Sequence, residues 1–133
     1  MNMKKIDTKN EIRNNCLFVK VTGHFDVNHI RENVCKTGEM LHRHNLKKIF
    51  IDITEETYTE KKQRSVFTMY DIASLMFETH PLGTKVCFLV RKDQLDENEF
   101  FDTAMTNKGF FVKITTNREE GLTWLGVLPE KNL

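Results

Sequence analysis

The stretch KVCFLVR, residues 85 to 91, most constrains what this chain can fold into. Five consecutive apolar residues stand between bases. The run is short for a helix and has no polar face to turn to water, so it reads as a strand buried on both sides. KKIFIDIT, residues 47 to 54, is similar. Ile49, Ile51 and Ile53 point one way, with Phe50 and Asp52 the other, so both faces are largely apolar. FFVKITT, residues 110 to 116, supplies another such strand.

Helical segments lie between these strands. Asp26 is placed to cap a helix whose face carries Val27, Ile30, Val34 and Leu41, with Asn45 at its end. A second helix is expected from Gln63 to Glu78, with Val66, Met69, Tyr70, Ala73, Met76 and Phe77 as its apolar stripe. His80-Pro81 stops it and Gly83 turns the chain. A third spans Asp96 to Lys108, with Phe101, Ala104 and Met105 inward and Gly109 as a left-handed cap. Asn117, with Glu120 three residues on, opens a fourth, and Gly126 closes it. Before all of these, EIRNNCLFVKVTGHF reads as a hairpin. Asn14-Asn15 makes the turn, and Leu17, Val19 and Val21 alternate with Phe18, Lys20 and Thr22.

Helices that alternate with buried strands demand crossovers and an α/β fold. The expectation is a mixed, mostly parallel sheet of about five strands, with the first hairpin strand as an antiparallel edge and four helices on its faces. No Pro/Gly/Ser-rich linker divides residues 1–133, which fits one domain.

Composition narrows the function classes. The 39% hydrophobic and 29% charged residues suit a packed core with a solvated surface, and the net charge of +1 gives no field for nucleic acid. Lys4, Lys5, Lys9, Arg13 and Lys20 outnumber Asp7 and Glu11 near the start, whereas residues 93 to 102 hold five carboxylates and no base. Cys16, Cys35 and Cys87 are odd in number and widely spaced, without a CxxC, which argues against a disulfide framework and a zinc site. The N-terminus has no apolar run of signal-peptide type, and no stretch approaches the length of a membrane span. A reducing, cytoplasmic setting is the expectation.

RSVFTMYDIASLMF, LGTKVCFLVRKD and FFDTAMTNKGFFVKITTNREEGLTWL together resemble uncharacterised bacterial proteins of the STAS-like class, named for sulfate transporters and anti-sigma factor antagonists. The ending carries the resemblance. It stands here as Asn107-Lys108-Gly109, Val112, Ile114 and then Glu120-Gly121-Leu122-Thr123-Trp124-Leu125. The resemblance implies the fold just described and a regulatory module that acts on protein partners. Two departures qualify it. The antagonists carry D-x-S-G followed by D-S-x-G, whose serine is phosphorylated. Asp52-Ile53-Thr54 looks like the first half, and EETYTEKKQRSVF has no second half, so the phosphorylation switch is not carried over. Gly121 stands where relatives usually have alanine, which weakens a helix by about 1 kcal/mol.

No Gly-rich phosphate loop, GxSxG elbow or HExxH pair occurs. His24, Asp26 and His29 lie close together, but Asp26 is accounted for as a cap and near neighbours in sequence seldom complete a metal shell. Cys87 falls inside a buried strand, where a thiol behaves as a small hydrophobe. Because open α/β sheets bind ligands beyond their strand ends, Asp52, Thr54 and Glu55 after one strand and Arg91 and Lys92 after another are the candidate ligand or partner residues. The competing reading is that Asp52 hydrogen-bonds the next loop. Phe67, Ile72 and Leu75 spill outside the stripe of the Gln63–Glu78 helix and mark a candidate interaction face, for a protein partner or a homodimer. The sequence thus favours a non-catalytic interaction module without a cofactor. The alternative is a small apolar ligand or lipid held between the Gln63–Glu78 helix and the sheet.

Overall fold

The computed structural model describes residues 4–57, 66–95, 106 and 109–127. Five strands form one sheet: β1 (Asp7–Arg13), β2 (Cys16–His24), β3 (Lys48–Thr57), β4 (Lys85–Leu89) and β5 (Phe111–Thr115). They lie side by side in chain order. β1 pairs antiparallel with β2, and every later pair is parallel. Asn14 and Asn15 make the hairpin turn at φ 50° and 60°, a left-handed region that asparagine tolerates better than most residues.

Three α-helices are traced among the described residues: α1 (Val27–Arg43), α2 (Val66–Thr79) and α3 (Arg118–Leu125). The helix expected over residues 96 to 108 lies outside the described residues apart from Thr106, as do the first residues expected for α2. Asp26 caps α1, its carboxylate accepting from the backbone N–H groups of Asn28 and His29. Asn117 caps α3 through the N–H of Glu120, and Gly126 ends it at φ 74°. The Glu120 carboxylate does not reach back as in a full capping box; it pairs with Lys113 at 2.9 Å.

Strand alternation divides the core in two. Leu17, Val19, Val21, Ile49, Ile53, Val86 and Phe88 pack with Val34 and Leu41 of α1 and Met69, Ile72, Ala73 and Met76 of α2. On the opposite face Cys16, Phe18, Phe50, Cys87 and Leu89 pack with Leu122 and Leu125 of α3, and Trp124 sits at the margin. The thiols of Cys16 and Cys87 are pushed up to about 12, chiefly by burial, which leaves them inert at neutral pH.

Gly121 owes its place to α3's close approach to the sheet. A Cβ there would stand 2.7 Å from the Cys87 sulfur and 3.2 Å from Phe50. The glycine costs helix propensity and permits contact.

The expected orientation of α2 needs correction. Its inward residues are Met69, Ile72, Ala73 and Met76, whereas Tyr70 and Phe77 are 52% and 43% exposed. Ile72 therefore belongs to the core and not to an interaction face. Leu75 is half-buried against the same core, and the Phe67 side chain lies outside the described residues. The cause is α1. A Cβ on Gly38 would lie 2.5 Å from the Thr79 carbonyl oxygen, so α1 and the end of α2 nearly touch. α2 therefore turns its apolar face into the angle between α1 and the sheet.

Candidate functional site

Several of the strand-end residues expected to form a site build an irregularity in β3. Lys20 of β2 stands opposite Asp52, and Thr22 stands opposite Glu55. Two steps on β2 thus face three on β3, which is a bulge. Asp52 accepts from the Thr54 backbone N–H at 2.9 Å and from its hydroxyl at 2.7 Å. Arg91 donates through Nη1 to the carbonyls of Thr54 and Glu56. Gln94, fully buried, donates to the Ile53 carbonyl at 2.9 Å and accepts from the Arg91 N–H at 2.6 Å. Buried carbonyls need such donors.

Asp52, Thr54 and Arg91 therefore come together, and each contributes to the shape of the backbone. Glu55 turns instead to Lys20 at 2.6 Å, and that hydrogen bond lowers its carboxyl pKa. Lys92 is exposed. His24, Asp26 and His29 do not form a metal shell: Asp26 caps α1 and the His29 Nε2 lies 3.1 Å from the Thr8 hydroxyl.

The bulge changes which face β3 presents. Up to Asp52, even-numbered residues face α3. Beyond the bulge the parity flips, because a strand alternates with period two. Glu55 shares the α3 face with Lys20, and Glu56 turns to the α1–α2 side, where it is 2% exposed.

Glu56 there lines a cavity of about 70 Å³ between α1, α2 and the sheet. Its wall is mainly apolar, with Ile53, Met69, Met76 and Phe88, and His80 lies at the end of α2. The His80 imidazole is 4% exposed. Burial pushes its pKa down to about 4, against a smaller opposing effect from the Val34 carbonyl. Its Nε2 lies 3.1 Å from both the Val34 carbonyl oxygen and the Thr37 hydroxyl.

The α3 face presents a different feature. α3 packs on β3, β4 and β5. Beside it, over β1 and β2, an open groove of about 350 Å³ is lined by Lys9, Glu11, Arg13, Lys20, Asp52 and Arg118, among others. The Arg13 guanidinium lies 4.1 Å over the Phe18 ring and that of Arg118 lies 5.0 Å over Phe50. Stacking of this kind holds a guanidinium flat on an apolar floor.

Sequence reasoning missed Glu56 and His80. Glu56 lies beyond the strand as read from the sequence; strict alternation would put it with Asp52, and only a recognised bulge reverses that. His80 served merely as a helix stop before Pro81.

The sheet order and two-sided helical cover described above give a STAS-like fold. Among solved structures, an anti-sigma factor antagonist from Mycobacterium paratuberculosis superposes with a TM-score of 0.62 at 13% identity, over 92% of this chain and 95% of that one. The anti-sigma factor antagonist SpoIIAA in its unphosphorylated form gives 0.58 at 9% identity, over 92% and 100%. An uncharacterised protein of the DUF3478 family with a SpoIIAA-like fold, from Shewanella loihica PV-4, gives 0.59 at 17%, over 94% and 97%. No protein-family model matches the chain, and no curated protein matches it. Among the described residues, no helix is long and apolar enough to cross a membrane.

Proposed function

We propose that this chain is a non-catalytic regulatory module that works through protein contacts. The observation that carries the reading is how the strand-end polar residues are used. In an open α/β sheet, that position would host chemistry, and here Asp52, Thr54, Arg91 and Gln94 are joined to backbone groups. The charged groove over β1 and β2 is the surface offered to a partner, and the likeness to two anti-sigma factor antagonists supports a regulatory role. The test is a photo-crosslinking residue placed at Lys9 and, as control, at Glu39 on the exposed side of α1. A discrete adduct from position 9 alone supports the reading; none from either position, or equal adducts from both, rejects it. Self-association is tested by sedimentation of Tyr70→Glu and Phe77→Glu, which alter the exposed residues of α2. A wild type that stays monomeric removes the homodimer.

A second reading is that the chain holds a small apolar molecule. The cavity beside Met69 and Met76 favours it, since methionine side chains adapt to irregular guests. Native mass spectrometry of the purified protein tests it: a bound small molecule supports the reading, and a bare chain counts against it.

A further inference from the structure

His80 has one nitrogen committed and one not. The Thr37 hydroxyl donates to the Val34 carbonyl at 3.0 Å, and His80 Nε2 lies 3.1 Å from that same carbonyl oxygen. A carbonyl oxygen only accepts, so Nε2 carries the ring proton. Nδ1 is then a bare lone pair, and it has no hydrogen-bond partner although the side chain is buried. The Nε2–Cδ2 edge of the ring faces α1, where a Cβ on Gly38 would come within 2.9 Å of Cδ2. Nδ1 therefore occupies the edge turned away from α1. A buried acceptor left unpaired is costly, and native proteins rarely leave one without a reason.

Of the other polar groups in the cavity wall, the buried Glu56 carboxylate lines the same space, and Asn33 and Thr37 are engaged by neighbours. Asn33 Oδ1 accepts from the Asn10 amide at 2.8 Å and from the Thr8 hydroxyl at 3.2 Å. The Thr37 hydroxyl serves Val34. The rest of the wall is largely aliphatic, thioether and aromatic.

We propose that the cavity between α1, α2 and the sheet takes a small, compact, largely apolar molecule bearing one hydrogen-bond donor, a hydroxyl or an N–H, which His80 Nδ1 accepts. This deepens the small-molecule reading and rests on it. The cavity of about 70 Å³ exceeds the roughly 10–15 Å³ needed for one water and falls short of the roughly 150 Å³ of a dry cavity that takes benzene, so a single ring enters as the adaptable Met69 and Met76 side chains give way, and the acyl chain of a lipid does not fit. The depressed pKa keeps the imidazole neutral at physiological pH, so the lone pair stays available.

Phenol and toluene test this as a matched pair, since they differ in a hydroxyl against a methyl. Binding is read from the methyl signals of Met69 and Met76, and acceptance from the ¹⁵N resonance of His80 Nδ1. The expected result is phenol binding about five- to tenfold tighter than toluene, the size of one net hydrogen bond, with an Nδ1 shift on phenol only. In His80→Gln, if it folds, the pair should bind differently from wild type; the ¹⁵N measurement decides without that variant. Equal affinity, or tighter phenol binding with Nδ1 unmoved, overturns the donor inference and leaves the small-molecule reading standing. An Nδ1 resonance already hydrogen-bonded in the free protein and unchanged by phenol also overturns it. If neither compound moves the methionine signals, both readings fall.

Discussion

The two faces of the sheet are covered in opposite ways. On one, α3 lies so close that Gly121 cannot gain a methyl without meeting the Cys87 sulfur at 2.7 Å. On the other, α1 and α2 enclose a cavity with a buried histidine and a buried glutamate in its wall. The face under α3 resembles a crystal-like interior, where each atom fixes its neighbours. The face under α1 and α2 keeps slack and buried polarity, which domains retain where they bind. The β3 bulge connects them, because it gives Asp52 to the first face and Glu56 to the second.

The largest expected effect concerns the slack face and is an acid response. His80 has a folded pKa of about 4 against an ordinary value of 6.5. Above 6.5 both folded and unfolded forms are neutral there. Between 6.5 and 4 the unfolded chain takes the proton and the native chain does not, so stability falls as pH falls. The loss is about 1.4 kcal/mol per pH unit and reaches about 3 kcal/mol by pH 4. Urea titrations of wild type and His80→Gln across pH 7 to 4 measure it. The two curves should converge toward acid; parallel curves would mean that the imidazole is not buried neutral.

The tight face should answer to volume. Gly121→Val should destabilise by about 2–3 kcal/mol through overpacking, despite valine's better helix propensity. A thermal melt that rises on this substitution would remove the claimed close approach. Trp124→Ala should cost about 2 kcal/mol, roughly half the loss for a fully buried tryptophan, because Trp124 is only half-buried at the margin, with Lys85 Nζ 5.4 Å from its ring centroid. A cost as large as that of Leu125→Ala would place the indole deeper than the structure has it.

Much of this comparison was legible in the sequence, and its failures share one cause. Period-two alternation put Ile49, Ile51 and Ile53 opposite Phe50 and Asp52, because a strand fixes side-chain direction locally. The asparagine turn and both helix caps were legible for the same reason. Glu56 was not, since a bulge made by Asp52, Thr54, Arg91 and Gln94 depends on groups more than thirty residues apart. Nor was the rotation of α2. Tyr70 and Phe77 fall on a helical stripe as well as Ile72 and Met76 do, and only the approach of α1 through Gly38 chooses between them. Gly121 looked like a weakness until the distance to Cys87 gave it a reason.

The smallest expected effect separates the faces most directly. Val34→Ile adds one methylene at the cavity wall, whereas Gly121→Val adds a side chain where no space exists. In a wall at native density, an added methylene strains its neighbours by about 1 kcal/mol or more. Beside a cavity it can occupy existing space and gain the transfer energy of a buried methylene, about 0.8 kcal/mol at most. Val34→Ile should therefore be neutral or stabilising by about 0.5 kcal/mol in chemical denaturation. It should also weaken toluene binding by taking up the same volume. A clear loss of stability from this single methylene would show that the slack face is as tightly packed as the one under α3.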